Sequence, residues 1–142
     1  MTISPLNLYY LRPLIDFGLV ILIWLVQLII YPSFLYSSPD SFQRWHNQYT
    51  SLILLFVGPL MLSQVVIIGS QLLKKPEPLV WSSCLLIAFI WGYTFFVSVP
   101  KHSLLSSKGY NPHIINQLVQ TNWPRTIAWT LCFILSILPL KK

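Results

Sequence analysis

Between Asp16 and Asp40 the chain carries no charge for 23 residues, 17–39, and most of these are aliphatic or aromatic. That run is long enough to cross a ~30 Å hydrocarbon core as an α-helix, which needs about 20 apolar residues with every backbone group bonded inside the segment. The pattern recurs down the chain. An uncharged stretch fills 47–73, a third apolar run follows Glu77, and a fourth ends at the C-terminal lysines. The spacing predicts an all-α integral membrane four-helix bundle in one domain over 1–142, with helices at about 14–36, 49–73, 79–99 and 122–140.

Composition agrees with lipid as the solvent. Charged residues are 8% of the chain and hydrophobic ones 55%, against roughly 25% charged in soluble domains. The 17–39 run exceeds the roughly 7–15 residues of a secretory core segment, and no A-x-A step follows, so it is expected to stay in the protein. The net charge of +6 comes from scattered Lys and Arg without a basic stripe, which argues against nucleic acid and for contact with lipid headgroups. Cys84 and Cys132 stand alone in apolar runs and read as small buried hydrophobes rather than a disulfide or metal ligands.

Local punctuation refines the helices. Pro13 and Asp16 suit a helix start, so Asp16 reads as a first-turn residue. Ser38-Pro39-Asp40 marks a second start, Gly58-Pro59 falls within that helix, and Lys74-Lys75-Pro76 ends it. The fourth segment is uncharged only over 126–140 and spans only if it extends back to Asn122, which places Arg125 at the membrane edge. Asn122 is then the expected cap and Pro124 a first-turn residue. Ahead of it, Ile114, Ile115, Leu118 and Val119 keep helical spacing, predicting a short amphipathic interfacial helix over 112–120. Four crossings put both termini on one side with Arg12, Lys74, Lys75, Lys141 and Lys142, and leave Arg44, Lys101, Lys108 and Arg125 on the other. The positive-inside bias then places the termini in the cytoplasm.

The polar residues gather at the other, non-cytoplasmic end. Asn122, Arg125 and Trp129 share one helix face. Arg125 reads two ways: as a side chain reaching the headgroups, or as one facing the bundle with Asp40, backbone carbonyls or an anionic ligand as partner. His46 and His102 fall at similar depth, where two neutral imidazoles could ligate haem iron or could simply bond to loops. No third ligand accompanies them, so no other metal is called for, and His113 is expected in water. Gln27, Gln64 and Gln71 are the expected cross-links between helices, and Gln64 follows His46 by about five helical turns.

Two stretches carry a resemblance. Val99-Pro100-Lys101-His102-Ser103-Leu104-Leu105, and Leu118 followed by Asn122-Trp123-Pro124-Arg125-Thr126-Ile127-Ala128-Trp129, are similar to the "VPxN..L" and "N-x-x-R-T" segments of the anthrone-oxygenase-like membrane proteins. Tyr31-Pro32-Ser33-Phe34 and the Pro59 region also resemble that family, whose asparagine after the proline step is replaced here by Lys101-His102. The resemblance implies the four-helix fold, Asn122 and Arg125 as a polar pair, and, from some relatives, cofactor-independent oxygenation of polycyclic anthrones.

Two functions stay open on these residues. One is a small membrane module or subunit, or a lipid-binding scaffold, in which the polar cluster fixes the helices. The other is an oxidoreductase or oxygenase acting on an aromatic or quinone-like substrate, with His46 or His102 as acid/base and Asn122 and Arg125 stabilising an oxyanion. The partners considered are the bilayer, a hydrophobic small molecule, and a second copy or larger membrane complex.

Overall fold

A computed structural model describes residues 5–138, with side chains from residue 10 onward. Among the described residues every regular element is helical, and they join into four rods. The first rod, α1, is α-helical over Pro5–Leu25, passes through a π-turn at Val26–Ile30 and a turn at Tyr31–Ser33, and tightens to 3-10 geometry at Phe34–Tyr36. α2 is Pro39–Lys74. α3 runs from Pro78–Tyr93 through a π-turn at Thr94–Ser98 into Val99–Lys108. α4 is Pro112–Ile137. Each rod packs on its chain neighbours, and α4 closes the ring on α1. The short connections make successive helices antiparallel, which brings the α1–α2 and α3–α4 loops to one end of the bundle, the loop end.

Three rods are long and apolar enough to cross a membrane: Tyr10–Tyr36, Pro39–Lys74 and Pro78–Lys108. α4 is long enough at 26 residues but more polar, and its polar residues Asn122, Arg125 and Thr126 turn into the bundle.

Two sequence expectations change. The separate interfacial helix over 112–120 and the fourth helix from Asn122 are one continuous helix, capped by Asn111, whose side chain accepts from the backbone N–H of His113 and Ile114. Pro124 sits inside that helix, so Asn122 is freed from capping and lies in the interior. The far end of the expected span, with Lys141 and Lys142, lies outside the described residues. Asp16 is likewise no helix start, because α1 begins at Pro5. Its carboxylate is 1% exposed, paired with Arg12 at 3.4 Å and accepting from Gln64 Nε2 at 2.6 Å. Arg12 also donates to Gln71 and Ser83, so this cation, counted above among the charges flanking the spans, is part of a buried layer near the termini. Cys84 and Cys132 are free thiols.

The π-turns have a chemical cause. Pro32 and Pro100 lack an N–H, and their rings would strike the carbonyls of Leu28 and Phe96 four residues back. The turn before each proline widens instead, with Tyr31 N–H bonding Val26 O and Val99 N–H bonding Thr94 O. The widening aligns a side-chain stripe. Leu19, Ile23, Gln27 and Tyr31 repeat every four residues, as do Ile90, Thr94, Ser98 and His102. Over twelve residues an unbroken α-helix would carry such a stripe about 120° off its face, and the one extra residue of a π-turn removes most of that drift.

Candidate functional site

Leu19, Ile23 and Tyr31 of the α1 stripe and Thr94, Ser98 and His102 of the α3 stripe line a cavity of about 570 Å³ to which all four helices contribute. Leu19, Ile23 and Val26 of α1, Ile53 and Val57 of α2, and Trp129 of α4 make its apolar wall. Tyr31 of α1, Ser98 and His102 of α3 and Arg125 of α4 also line it, Tyr31 in contact with His102 and Arg125 with Ser98.

A chain of hydrogen bonds runs along that wall and, at His46, behind it. The Tyr31 hydroxyl meets His102 Nε2 at 2.9 Å, His102 Nδ1 meets His46 Nε2 at 2.9 Å, and His46 Nδ1 meets Ser106 Oγ at 3.1 Å. The two imidazoles stack with ring centres 5.2 Å apart. Phe34 and Phe42 pack edge-on and face-on against His46, which is fully buried. Aromatic packing therefore holds the rings while their nitrogens bond end to end.

Arg125 completes the polar part. It is 6% exposed, and Nη1 donates to Ser98 Oγ at 3.1 Å and Asn122 Oδ1 at 3.0 Å. Its guanidinium carbon lies 5.1 Å from the centre of the Trp129 ring, within the range of a cation–π contact. Asn122 is fixed in turn by donating to Gln27 Oε1 at 2.9 Å, and Gln27 donates to Val119 O. No carboxylate pairs with Arg125 among the described residues: Asp16 bonds Arg12 at the other end, Glu77 bonds Lys75, and Asp40 is exposed. Arg125 Nε and the Trp129 indole N–H are buried without acceptors. Such orphaned donors next to a cavity are unusual in a folded protein and invite an acceptor.

The four residues expected from sequence thus meet in one region, in pairs: His46 with His102, and Asn122 with Arg125. His102 and Arg125 line the cavity, while His46 and Asn122 support them from behind. His113 is exposed, and its ring bonds Gln117. Gln27, Gln64 and Gln71 each bridge two helices. Haem does not fit between the two histidines. Two nitrogens on one metal ion stand on the order of 4 Å apart with the ion between them, whereas here they bond each other and both outer nitrogens are also engaged.

Sequence reasoning missed Tyr31, Ser98 and Ser106 as site residues. The signal for the first two was present, in the four-residue repeats that run through an X-Pro step. No known protein family, curated protein or solved structure matches the chain.

Proposed function

We propose that this chain is a four-crossing membrane protein whose bundle holds a lipid-soluble small molecule bearing an oxygen acceptor, such as a phenol, enol or quinone. The inverted distribution of polarity supports the membrane reading. The most apolar windows of α1, α2 and α3 are only 33%, 22% and 22% buried, while Arg12, Asp16, Gln27, His46, Asn122 and Arg125 are inside. An aqueous surface does not sustain apolar faces of that extent. Exposed Tyr10 and Trp81 at one end, and Tyr36, Trp45 and Trp123 at the other, suit two interfacial belts. With Arg12 and Arg125 buried, Lys74, Lys75, Lys141 and Lys142 stand against Arg44, Lys101 and Lys108, which keeps the termini on the cytoplasmic side.

One observation carries the ligand reading: a buried arginine with no carboxylate partner among the described residues, and with Nε lacking an acceptor, borders a cavity whose remaining wall is mostly apolar. That arrangement suits a hydrophobic body with one electronegative head. The oxygenase implied by the family resemblance is a second reading with the same ligand class, and the Tyr31–His102–His46 chain would supply its acid–base groups. An octyl-substituted 4-nitrophenol tests the site on protein in lipid nanodiscs. Wild type is expected to bind one probe per chain. Arg125→Ala should weaken binding by about tenfold or more, the scale of a hydrogen bond to a charged group, and Ile53→Trp should block the cavity. Unchanged binding in both folded variants refutes the reading.

A further inference from the structure

We infer that the Tyr31–His102–His46–Ser106 chain is a proton path linking the depth of the cavity to water at the loop end, and that it carries away the proton lost by a phenolic or enolic ligand. The inference rests on the ligand reading above and adds the ligand's acid–base chemistry to it.

The bonding pattern is restrictive. A neutral imidazole has one N–H and one bare nitrogen, and all four ring nitrogens of His46 and His102 are occupied by bonds within the chain. Fixing the proton on one ring therefore fixes it on the other. In one arrangement Tyr31 donates to His102 Nε2, His102 Nδ1 donates to His46, and His46 Nδ1 donates to Ser106. In the other every donor is reversed: Ser106 donates to His46 Nδ1, His46 Nε2 to His102, and His102 Nε2 to the Tyr31 oxygen. Both rings carry Nδ1–H in the first state and Nε2–H in the second.

The two states suit two forms of a ligand. In the first, Tyr31 has spent its proton inward and its oxygen can accept from a ligand hydroxyl. In the second, Tyr31 receives a bond from His102 and is free to donate to a ligand oxyanion or carbonyl. Conversion is a balanced proton shift. The ligand O–H breaks as its proton bonds to the Tyr31 oxygen, and the former Tyr31 proton moves to His102 Nε2. The His102 Nδ1 proton then moves to His46 Nε2, and the His46 Nδ1 proton leaves through Ser106 to water. The ligand remains as an oxyanion beside Arg125, and no electron is transferred.

The placement gives the path a reason to exist. Tyr31, His102 and Ser106 line the cavity, and His46 between them does not; it is sealed in the helix packing behind the wall. Ser106 lies one turn closer to the end of α3, half-buried beside exposed Ser107, and Gln43 of α2 donates to both of their carbonyls. A ligand seated against Tyr31 and Arg125 displaces water there, and the step through His46 carries the proton past it, behind the wall, to Ser106 at the loop-end rim of the same cavity.

The test uses histidine-¹⁵N-labelled protein in lipid nanodiscs, with the octyl 4-nitrophenol as probe and its phenolate absorbance as clock. The two histidines are expected to carry their proton on the same nitrogen, and probe ionisation should convert both from Nδ1–H to Nε2–H. His46→Gln should keep probe affinity within about twofold, and both it and Ser106→Ala should slow phenolate formation at saturating probe by at least about tenfold, the lower range for loss of a positioned proton carrier. Ser106→Ala removes one half-buried hydroxyl and covers the case in which His46→Gln fails to fold. Equal ionisation rates in wild type and variants, or opposite tautomers on the two rings, overturn the path. If the probe does not bind wild type, the ligand reading falls by itself. The tautomers of the unliganded protein then decide the path: matched protons uphold it and opposed ones overturn it.

Discussion

Replacing Asp16 with alanine should be among the most destabilising single changes in this chain. The carboxylate is 1% exposed and Arg12, its partner at 3.4 Å, is 4% exposed, so the substitution leaves a guanidinium buried without a counter-charge. It also deprives Gln64 Nε2 of its acceptor at 2.6 Å. Breaking one side of a buried pair costs about 3–5 kcal/mol. The lost amide bond costs roughly 1 kcal/mol on the scale of interhelical bonds in membranes. Gln71 and Ser83, which also accept from Arg12, blunt the loss, so a total of about 4 kcal/mol is expected. At about 3 °C per kcal/mol for a chain of this size, that lowers Tm on the order of 12 °C. Thermal unfolding in detergent, followed by size-exclusion recovery, reads the shift. The charge argument makes a second demand: Arg12→Leu with Asp16→Leu should be milder than Asp16→Ala alone, because no unpaired charge remains. A shift under about 3 °C for the single change, or a double variant less stable than the single, refutes the reasoning.

Two further outcomes follow from the helix architecture. Pro32→Ala with Pro100→Ala should let the two π-turns relax toward α-geometry and rotate Tyr31 and His102 off the cavity wall; nitrophenol binding should fall at least about tenfold without loss of Tm, and intact binding would show that the prolines do not set the stripes. Single cysteines at Ser38 and Gly109 should react with an impermeant maleimide from one face of sealed vesicles, and one at Pro76 from the other. Labelling of all three from the same face would contradict the antiparallel crossings.

The helical rods were legible because uncharged apolar runs of that length, punctuated by Pro and Lys at their ends, fit the continuous helices that form. The polar interior was legible only in part. Gln27, Gln64 and Gln71 announced themselves as amides in apolar runs, and His46, His102, Asn122 and Arg125 as polar residues at one depth. Arg12 and Asp16 misled because Pro13 and a first-turn acid imitate a helix start, whereas the tertiary layer with Gln64, Gln71 and Ser83 makes burial of the pair tolerable. Asn122 misled for a similar reason. Asn-x-Pro has the look of a cap, but Asn111-Pro112 caps the same helix earlier, and Pro124 is accommodated within. The meeting of the two histidines ring to ring was out of reach of spacing arguments, since it depends on how the α2 and α3 ends pack around Phe34 and Phe42.

Occupancy of the cavity is the point on which the account stands, and photolabelling reads it directly. A lipophilic phenol carrying a diazirine, irradiated with the protein in lipid nanodiscs and mapped by mass spectrometry, should mark residues 49–57 of α2 and 94–107 of α3. Excess octyl 4-nitrophenol should abolish those adducts, and Ile53→Trp should prevent them. Adducts confined to the outward faces, at residues such as Leu62, Val66 and Leu85, and insensitive to the competitor, would contradict the account.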